Sequence, residues 1–244
     1  MSFLFHEILY RPLFNALIFL YETIAFGDLG VAIIILTIII RFIFYPLFYK
    51  TFKHQAIFQR IQPEIKQIQE KHKDNRNRQA EEMMALWKKH KVNPFSSFLL
   101  LLVQLPVLIA LYQVFRSDFF QEIAINAYSF IPQPETLNTE FLGLLNLTKP
   151  NILIVGLAVI SQYFQGKLAL SRKKTDAGQA SPAEKVSRQM VFIGPAFAAI
   201  FLFNLSAAIG IYWATTSLFS LIQQIVINRQ LNHGTLSNTT NETH

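Results

Sequence analysis

Residues 29–49 read LGVAIIILTIIIRFIFYPLFY, an apolar run broken by one charge, Arg41. At about 1.5 Å per residue, such a run makes a helix long enough to cross the hydrocarbon core of a bilayer. Tyr45, Tyr49 and Lys50 close it with the aromatic and basic border typical of a membrane surface. The rest of the chain is built from similar apolar blocks. Only 15% of the 244 residues are charged, and Phe occurs 23 times. A soluble domain usually carries about 25% charged residues. Lipid is therefore the solvent that this composition suits.

Outward from this run, residues 1–28 form an apolar segment interrupted by Glu7, Arg11, Asn15 and Glu22. At 100° per residue these polar groups gather on one side, and Phe5, Ile8, Leu9, Leu13, Leu17 and Leu20 cover most of the rest. The pattern suits an amphipathic helix lying in the interface plane. A transmembrane helix is the alternative, and the sequence leaves both open. There is no early basic region and no small-residue cleavage site, so the segment is expected to be retained.

Residues 50–94 change character. Lys50, Lys53, Arg60, Lys66, Lys71, Lys73, Arg76, Arg78, Lys88, Lys89 and Lys91 outnumber Glu64, Glu70, Asp74, Glu81 and Glu82. Ile57, Ile61, Ile65 and Ile68 recur at helical spacing, as do Ala80, Met83, Met84 and Trp87, with a polar tract between the two sets. This predicts a helical hairpin outside the bilayer, with Pro63 opening a helix. Further spans are expected at residues 95–116, 150–170, 189–205 and 207–228. Residues 117–149 read as an acidic loop and 171–188 as a basic one. Residues 229–244, rich in Asn, Thr and Ser, read as a disordered tail.

The expected fold is an all-α membrane protein. It has five transmembrane helices, an N-terminal interfacial amphipathic helix and a cytoplasmic helical hairpin. Basic loops follow the first and third spans, and an acidic loop follows the second. Lys and Arg favour the cytoplasmic side, which puts the N-terminus outside and the C-terminus inside a multi-pass protein of the cell membrane. The net charge of +7 is absorbed by these loops, so no nucleic-acid recognition is expected.

Arg41 is the most informative residue. An arginine near the centre of a membrane helix costs about 2.5–3.5 kcal/mol on insertion scales. No Asp or Glu lies in the five spans to pair with it. Either Arg41 snorkels towards Lys50, about 13 Å along the helix, or it faces a hydrated cavity. Thr37, Gln104, Ser161, Gln162, Gln165, Thr215, Thr216 and Ser217 could line such a cavity or simply bond between helices. Pro46, Pro106 and Pro195 interrupt helices, either loosening the bundle or reflecting the general tolerance of membrane helices for proline. The chain has no phosphate loop, no nucleophile elbow, no paired intramembrane carboxylates and no Cys. Neither an enzyme, a cofactor nor a metal site is expected. A small-solute transporter or channel using the same cavity is the alternative reading.

The motifs LTIIIRFIFYPL (36–47), IQPEIKQIQEKHKD (61–74), NPFSSFLLLLVQLPVLIALYQVF (93–115), SQYFQGKL (161–168) and IYWATTSLFSLIQQ (211–224) occur in this order. Together they resemble the YidC family of membrane insertases over roughly residues 5–230. The chain is similar to the short five-span form, without a large extracytoplasmic domain. The resemblance implies a positively charged groove, open to the cytoplasm and to lipid, that receives nascent membrane proteins and releases their apolar segments into the bilayer. It implies that Arg41 is the groove arginine and that Gln104, Gln165, Tyr212 and Trp213 are groove positions. Thr37 and Thr216 join them from the reading of the spans. It further implies that Lys66, Lys71, Lys73, Arg76 and Arg78 of the hairpin help to receive substrates. The Sec translocon, the ribosome and the signal recognition particle pathway are the implied partners. The sequence departs from the family at Ser206-Ala207-Ala208, where Pro-Ala-Gly is frequent, and at Thr216-Ser217, where Asn-Asn is frequent. The short, weakly basic tail does not suggest strong ribosome binding.

Overall fold

The computed structural model describes residues 3–93, 96–116, 119–168 and 182–241. It is mostly helical. The first helix runs unbroken from Phe3 to Thr23, as α1 (Phe3–Phe5), a π-helical turn (His6–Tyr10) and α2 (Arg11–Thr23). The π turn ends just before Pro12, which has no N–H for the regular ladder. A turn through Phe26 and Gly27, both at positive φ, reverses the chain. Asp28 then caps α3 (Leu29–Ile43), its Oδ1 accepting from the Val31 N–H at 2.9 Å.

The single span expected over residues 29–49 is broken. α3 ends at Ile43, and α4 (Tyr45–Arg60) leaves at 70°. Phe44 closes one helix and opens the next. Pro46, in the first turn of α4, has no N–H to continue the ladder, and in the first turn of a helix that group is not needed.

α5 (Gln62–Lys71) and α6 (Arg76–Lys89) pack against each other as a helical hairpin, with Pro63 in the first turn of α5. Ile61, Ile65, Leu86 and Val92 make its small buried core. α7 (Ser96–Arg116) contains Pro106. The expected loop at 117–149 has structure of its own: α8 (Phe119–Asn126) and a minimal hairpin of β1 (Glu140–Phe141) and β2 (Leu145–Asn146). The chain is therefore not purely helical. Apolar residues within that acidic stretch, such as Ile123 and Leu147, find core positions and order it.

α9 (Ile152–Leu168) and α10 (Pro182–Leu202) follow. Much of the expected basic loop at 171–188 lies outside the described residues. α10 begins before the expected residue 189, at a proline suited to a first turn. α11 starts at Ala207 and continues to Asn241, where a disordered tail was expected. Once nucleated, a helix adds residues at low cost, even polar ones.

α11 is the central post, packed on α9, α3, α4 and α7. Phe14, Ile18, Ile33, Leu111, Leu202 and Ile209 sit in the main core. Outer faces carry exposed apolar residues, including Phe42, Ile160, Phe192, Phe197 and Ile200, as a lipid-facing surface requires. Among the described residues, two unbroken helices are long and apolar enough to cross a membrane, Phe3–Thr23 and Ala207–Gln230. The bent pair α3–α4 is a third candidate, and shorter apolar helices lie at Gln104–Val114, Ile152–Leu168 and Val191–Leu202.

The polar side of the first helix faces protein. Asn15 is 1% exposed. Its Nδ2 donates to the Asn126 carbonyl at 2.9 Å, and its Oδ1 accepts from the Tyr128 N–H at 2.7 Å. The Tyr10 hydroxyl donates to Glu122, and Arg11 lies over the Tyr128 ring. These bonds replace the water that an interfacial orientation of this face would supply. The loop end of the bundle is tied down further. Asp28 Oδ2 accepts from the Leu142 N–H, and the Tyr21 hydroxyl accepts from the Asn138 N–H. At Gly30 a Cβ would overlap the Phe141 ring, so only glycine allows this approach.

Candidate functional site

Arg41 lies in the last turn of α3, at the hairpin end of the bundle, and is 5% exposed. It is folded inward rather than extended to the surface. The bend at Phe44 brings Phe48 of α4 back over it, with the guanidinium carbon 4.3 Å from the ring centroid. A desolvated cation gains from the negative face of such a ring. Arg41 has no carboxylate partner among the described residues, and its buried Nη1 has no hydrogen-bond partner.

Tyr212 of α11 is buried and within electrostatic reach of Arg41. Its hydroxyl accepts a hydrogen bond from Gln104 Nε2 on α7. Arg41, Tyr212 and Gln104 thus connect three helices. Thr37, one turn before Arg41, is buried, but its hydroxyl donates to the Ile33 carbonyl of its own helix at 2.6 Å. Thr216, one turn after Tyr212, is buried with its hydroxyl beside that of Tyr212.

Trp213 looks elsewhere. Successive residues of a helix point 100° apart, and its Nε1 donates to Gln162 of α9 at 2.9 Å beside Phe201 of α10. Gln165, half-buried on α9, makes no hydrogen bond to the Arg41 group among the described residues. The structure therefore joins Arg41, Gln104 and Tyr212, with Thr37 and Thr216 adjacent along their helices. It places Trp213 on another interface of α11.

Further polar residues are buried along α11, and of these only Ser217 was singled out from the sequence. Below Thr216, α11 buries Ser217, Ser220, Gln223 and Gln224. Both amide atoms of Gln223 and the Oε1 of Gln224 are buried and unpartnered. Gln224 Nε2 donates to Gln55 of α4 at 3.3 Å. The spacing 216, 217, 220, 223, 224 is one face of a helix, a signal that was readable. Phe48 carried none, because its approach to Arg41 depends on the bend.

On the hairpin, Lys73, Arg76 and Arg78 are exposed around the tip. Asn75 caps α6 there, accepting from the Arg78 N–H. Lys71 is 3.2 Å from Glu82, and His72 Nε2 is 2.8 Å from the same carboxylate. The hydrogen bond from Lys71 holds the Glu82 carboxyl below its ordinary value, and that from His72 adds to this. Lys66 is half-buried on α5. Lys89 and His90 approach Glu64 at 3.5 and 3.2 Å.

The chain is similar to known proteins over most of its length. The family described as "60Kd inner membrane protein" matches residues 19–234. The chain is 34% identical over 241 residues to the membrane protein insertase MisCB of Bacillus subtilis (strain 168), covering 94% of this chain and 81% of that protein. The chain belongs to the YidC family. The YidC membrane protein insertase of Clostridium tetani (strain Massachusetts / E88) is 36% identical over 204 residues, covering 82% of this chain and 81% of that protein. The YidC of Pelagibacter ubique (strain HTCC1062) is 31% identical over 233 residues and 91% of this chain, but the match spans only 39% of that longer protein. These YidC relatives support an insertase function in general and favour it over small-solute transport. The membrane-suited helices are consistent with a YidC protein of the cell membrane.

Proposed function

We propose that this chain is a membrane protein insertase whose interior around Arg41 is a hydrated groove open to the cytoplasm. One observation carries the reading. A buried guanidinium, with no carboxylate partner among the described residues, lies against α4 and α11, and α11 also buries unpartnered amide atoms of Gln223 and Gln224. Buried polar groups left unpaired cost about 1–3 kcal/mol each. So many along α3 and α11 point to water as their partner. The fixed positive charge of Arg41 would then hold an acidic or polar flank of a nascent membrane protein. The apolar segment beside that flank gains transfer free energy by passing into lipid. No covalent step is needed.

In this reading α3, α7, α9, α10 and α11 cross the bilayer, with the N-terminus outside and the C-terminus in the cytoplasm. The first helix lies at the outer surface and holds the 126–149 segment over the outer end. The loop-end bonds of Asn15, Tyr21 and Asp28 support closure on that side. Gln104 and Tyr212 line the substrate path beside Arg41, with Thr37 and Thr216 next to them, and Gln165 and Trp213 extend it along the α9 side of α11. Lys66, Lys71, Lys73, Arg76 and Arg78 meet substrates delivered by the ribosome or the signal recognition particle pathway, with or without the Sec translocon.

The test is site-specific photocrosslinking from position 41 to a ribosome-stalled membrane protein. Adducts with the polar flank of the substrate are expected from position 41. They should be absent from Phe26, an exposed residue at the loop end. Adducts from Phe26 and none from position 41 would defeat the groove. In proteoliposomes, solute flux without insertion of a single-span substrate would favour the transporter alternative.

A further inference from the structure

A cavity of about 430 Å³ opens at the base of the hairpin, away from Arg41. Its walls are His54 of α4, Met84, Trp87 and Lys88 of α6, and the Lys91–Asn93 link. Met84, Trp87 and Val92 give it an apolar floor. Two buried ring nitrogens on lining residues, Trp87 Nε1 and His54 Nδ1, have no hydrogen-bond partner. An indole N–H can only donate.

The cations here differ from their neighbours. Lys89 and His90 are neutralised by Glu64. Lys88 and Lys91 are exposed and form no ion pair among the described residues. Lys91 also has φ +51°, just past the end of α6, where glycine is the usual low-cost choice. A lysine kept there sends its side chain to the cavity wall.

We infer that this cavity is a docking site for an acidic peptide segment in which a carboxylate stands beside a bulky apolar side chain. The apolar group takes the Met84–Trp87–Val92 floor, and the carboxylate takes Lys88 and Lys91 at the rim. Charge-assisted bonds of this kind are the strong ones in a partly dry site. The inference does not depend on the groove around Arg41.

The experiment uses the full chain in phosphatidylcholine nanodiscs. Trp87 and Trp213 are the two tryptophans, so Trp213→Phe leaves Trp87 as the only indole emitter. A short synthetic peptide containing Glu-Phe-Glu should shift the Trp87 emission saturably. Its affinity should fall about tenfold or more when the paired Lys88→Gln and Lys91→Gln changes are made, and likewise for the Gln-Phe-Gln peptide. Removing a charge at the opposite end of the bundle, by Lys149→Gln, should leave affinity within about twofold, because an exposed charge so distant is screened. No shift, or equal affinity of the two peptides, would overturn the assignment. So would a phosphatidylglycerol nanodisc that alone gives the shift and abolishes peptide binding, because the occupant would then be a lipid headgroup.

Discussion

The guanidinium of Arg41 lies 4.3 Å from the centre of the Phe48 ring, although a 70° bend separates the helices that carry them. The bend makes the contact possible. On a straight helix, residues seven apart would be two turns and about 10 Å from each other. The charge is thus covered on one face by an aromatic ring, while its Nη1 stays unpartnered.

This contact predicts energetic coupling. Phe48→Leu should lower stability, with about 2 kcal/mol from the lost cation–π term. A double-mutant cycle with Arg41→Gln should give an interaction energy of about 1–2 kcal/mol. Thermal unfolding in micelles measures it, and strict additivity would contradict the contact.

Gly30 predicts a size effect. Gly30→Ala places a methyl group into the Phe141 ring. Overpacking of this kind costs about 1–3 kcal/mol. Adding Phe141→Ala should recover part of the lost thermal stability. A Gly30→Ala protein as stable as the parent would show that β1 does not press on α3.

Asn15 predicts where the loop end opens. Asn15→Ala leaves the Tyr128 N–H without this partner and the Asn126 carbonyl with Arg11 alone, at about 1–3 kcal/mol for the donor left unsatisfied. Limited proteolysis should then cut within residues 126–138 faster than in the parent. Unchanged cleavage would mean that the first helix does not secure this segment.

Glu82 predicts a pH response of the hairpin. Its carboxyl is held below the ordinary 4.5, chiefly by Lys71. A depressed carboxylate stabilises the fold above its unfolded value, and that contribution is lost as pH falls through the folded value. Spin labels at the exposed positions 67 and 81 should report a hairpin that loosens below about pH 4.5. Glu82→Gln should reduce that response, and a response of undiminished size would remove Glu82 as its source.

Several elements were legible in the sequence because their signals are local. The Ile61–Ile65 spacing and Pro63 announce α5, and the apolar blocks around Gln104 and Ser161 announce α7 and α9. The motif around Arg41 led to the right family. Other features depend on distant partners. Nothing local says that Asn15 bonds to Asn126 and Tyr128, so its helix face reads as water-facing. The break at Phe44 was signalled by Pro46, but the apolar run on both sides masked it. Tyr212 and Trp213 are adjacent in sequence yet serve different interfaces of α11, which only the packing of α7 and α9 decides.

The kink at Phe44 also gives the chain a mechanical property. Taken as a rigid rod, α4 pivots there, with Phe48 about 6 Å from the fulcrum and Arg60 about 24 Å from it. A sideways push on the far end reaches the aromatic cover of Arg41 reduced roughly fourfold. A hairpin swing of several ångströms would therefore nudge that ring by only about one ångström, enough to alter a close cation contact without unpacking the bundle.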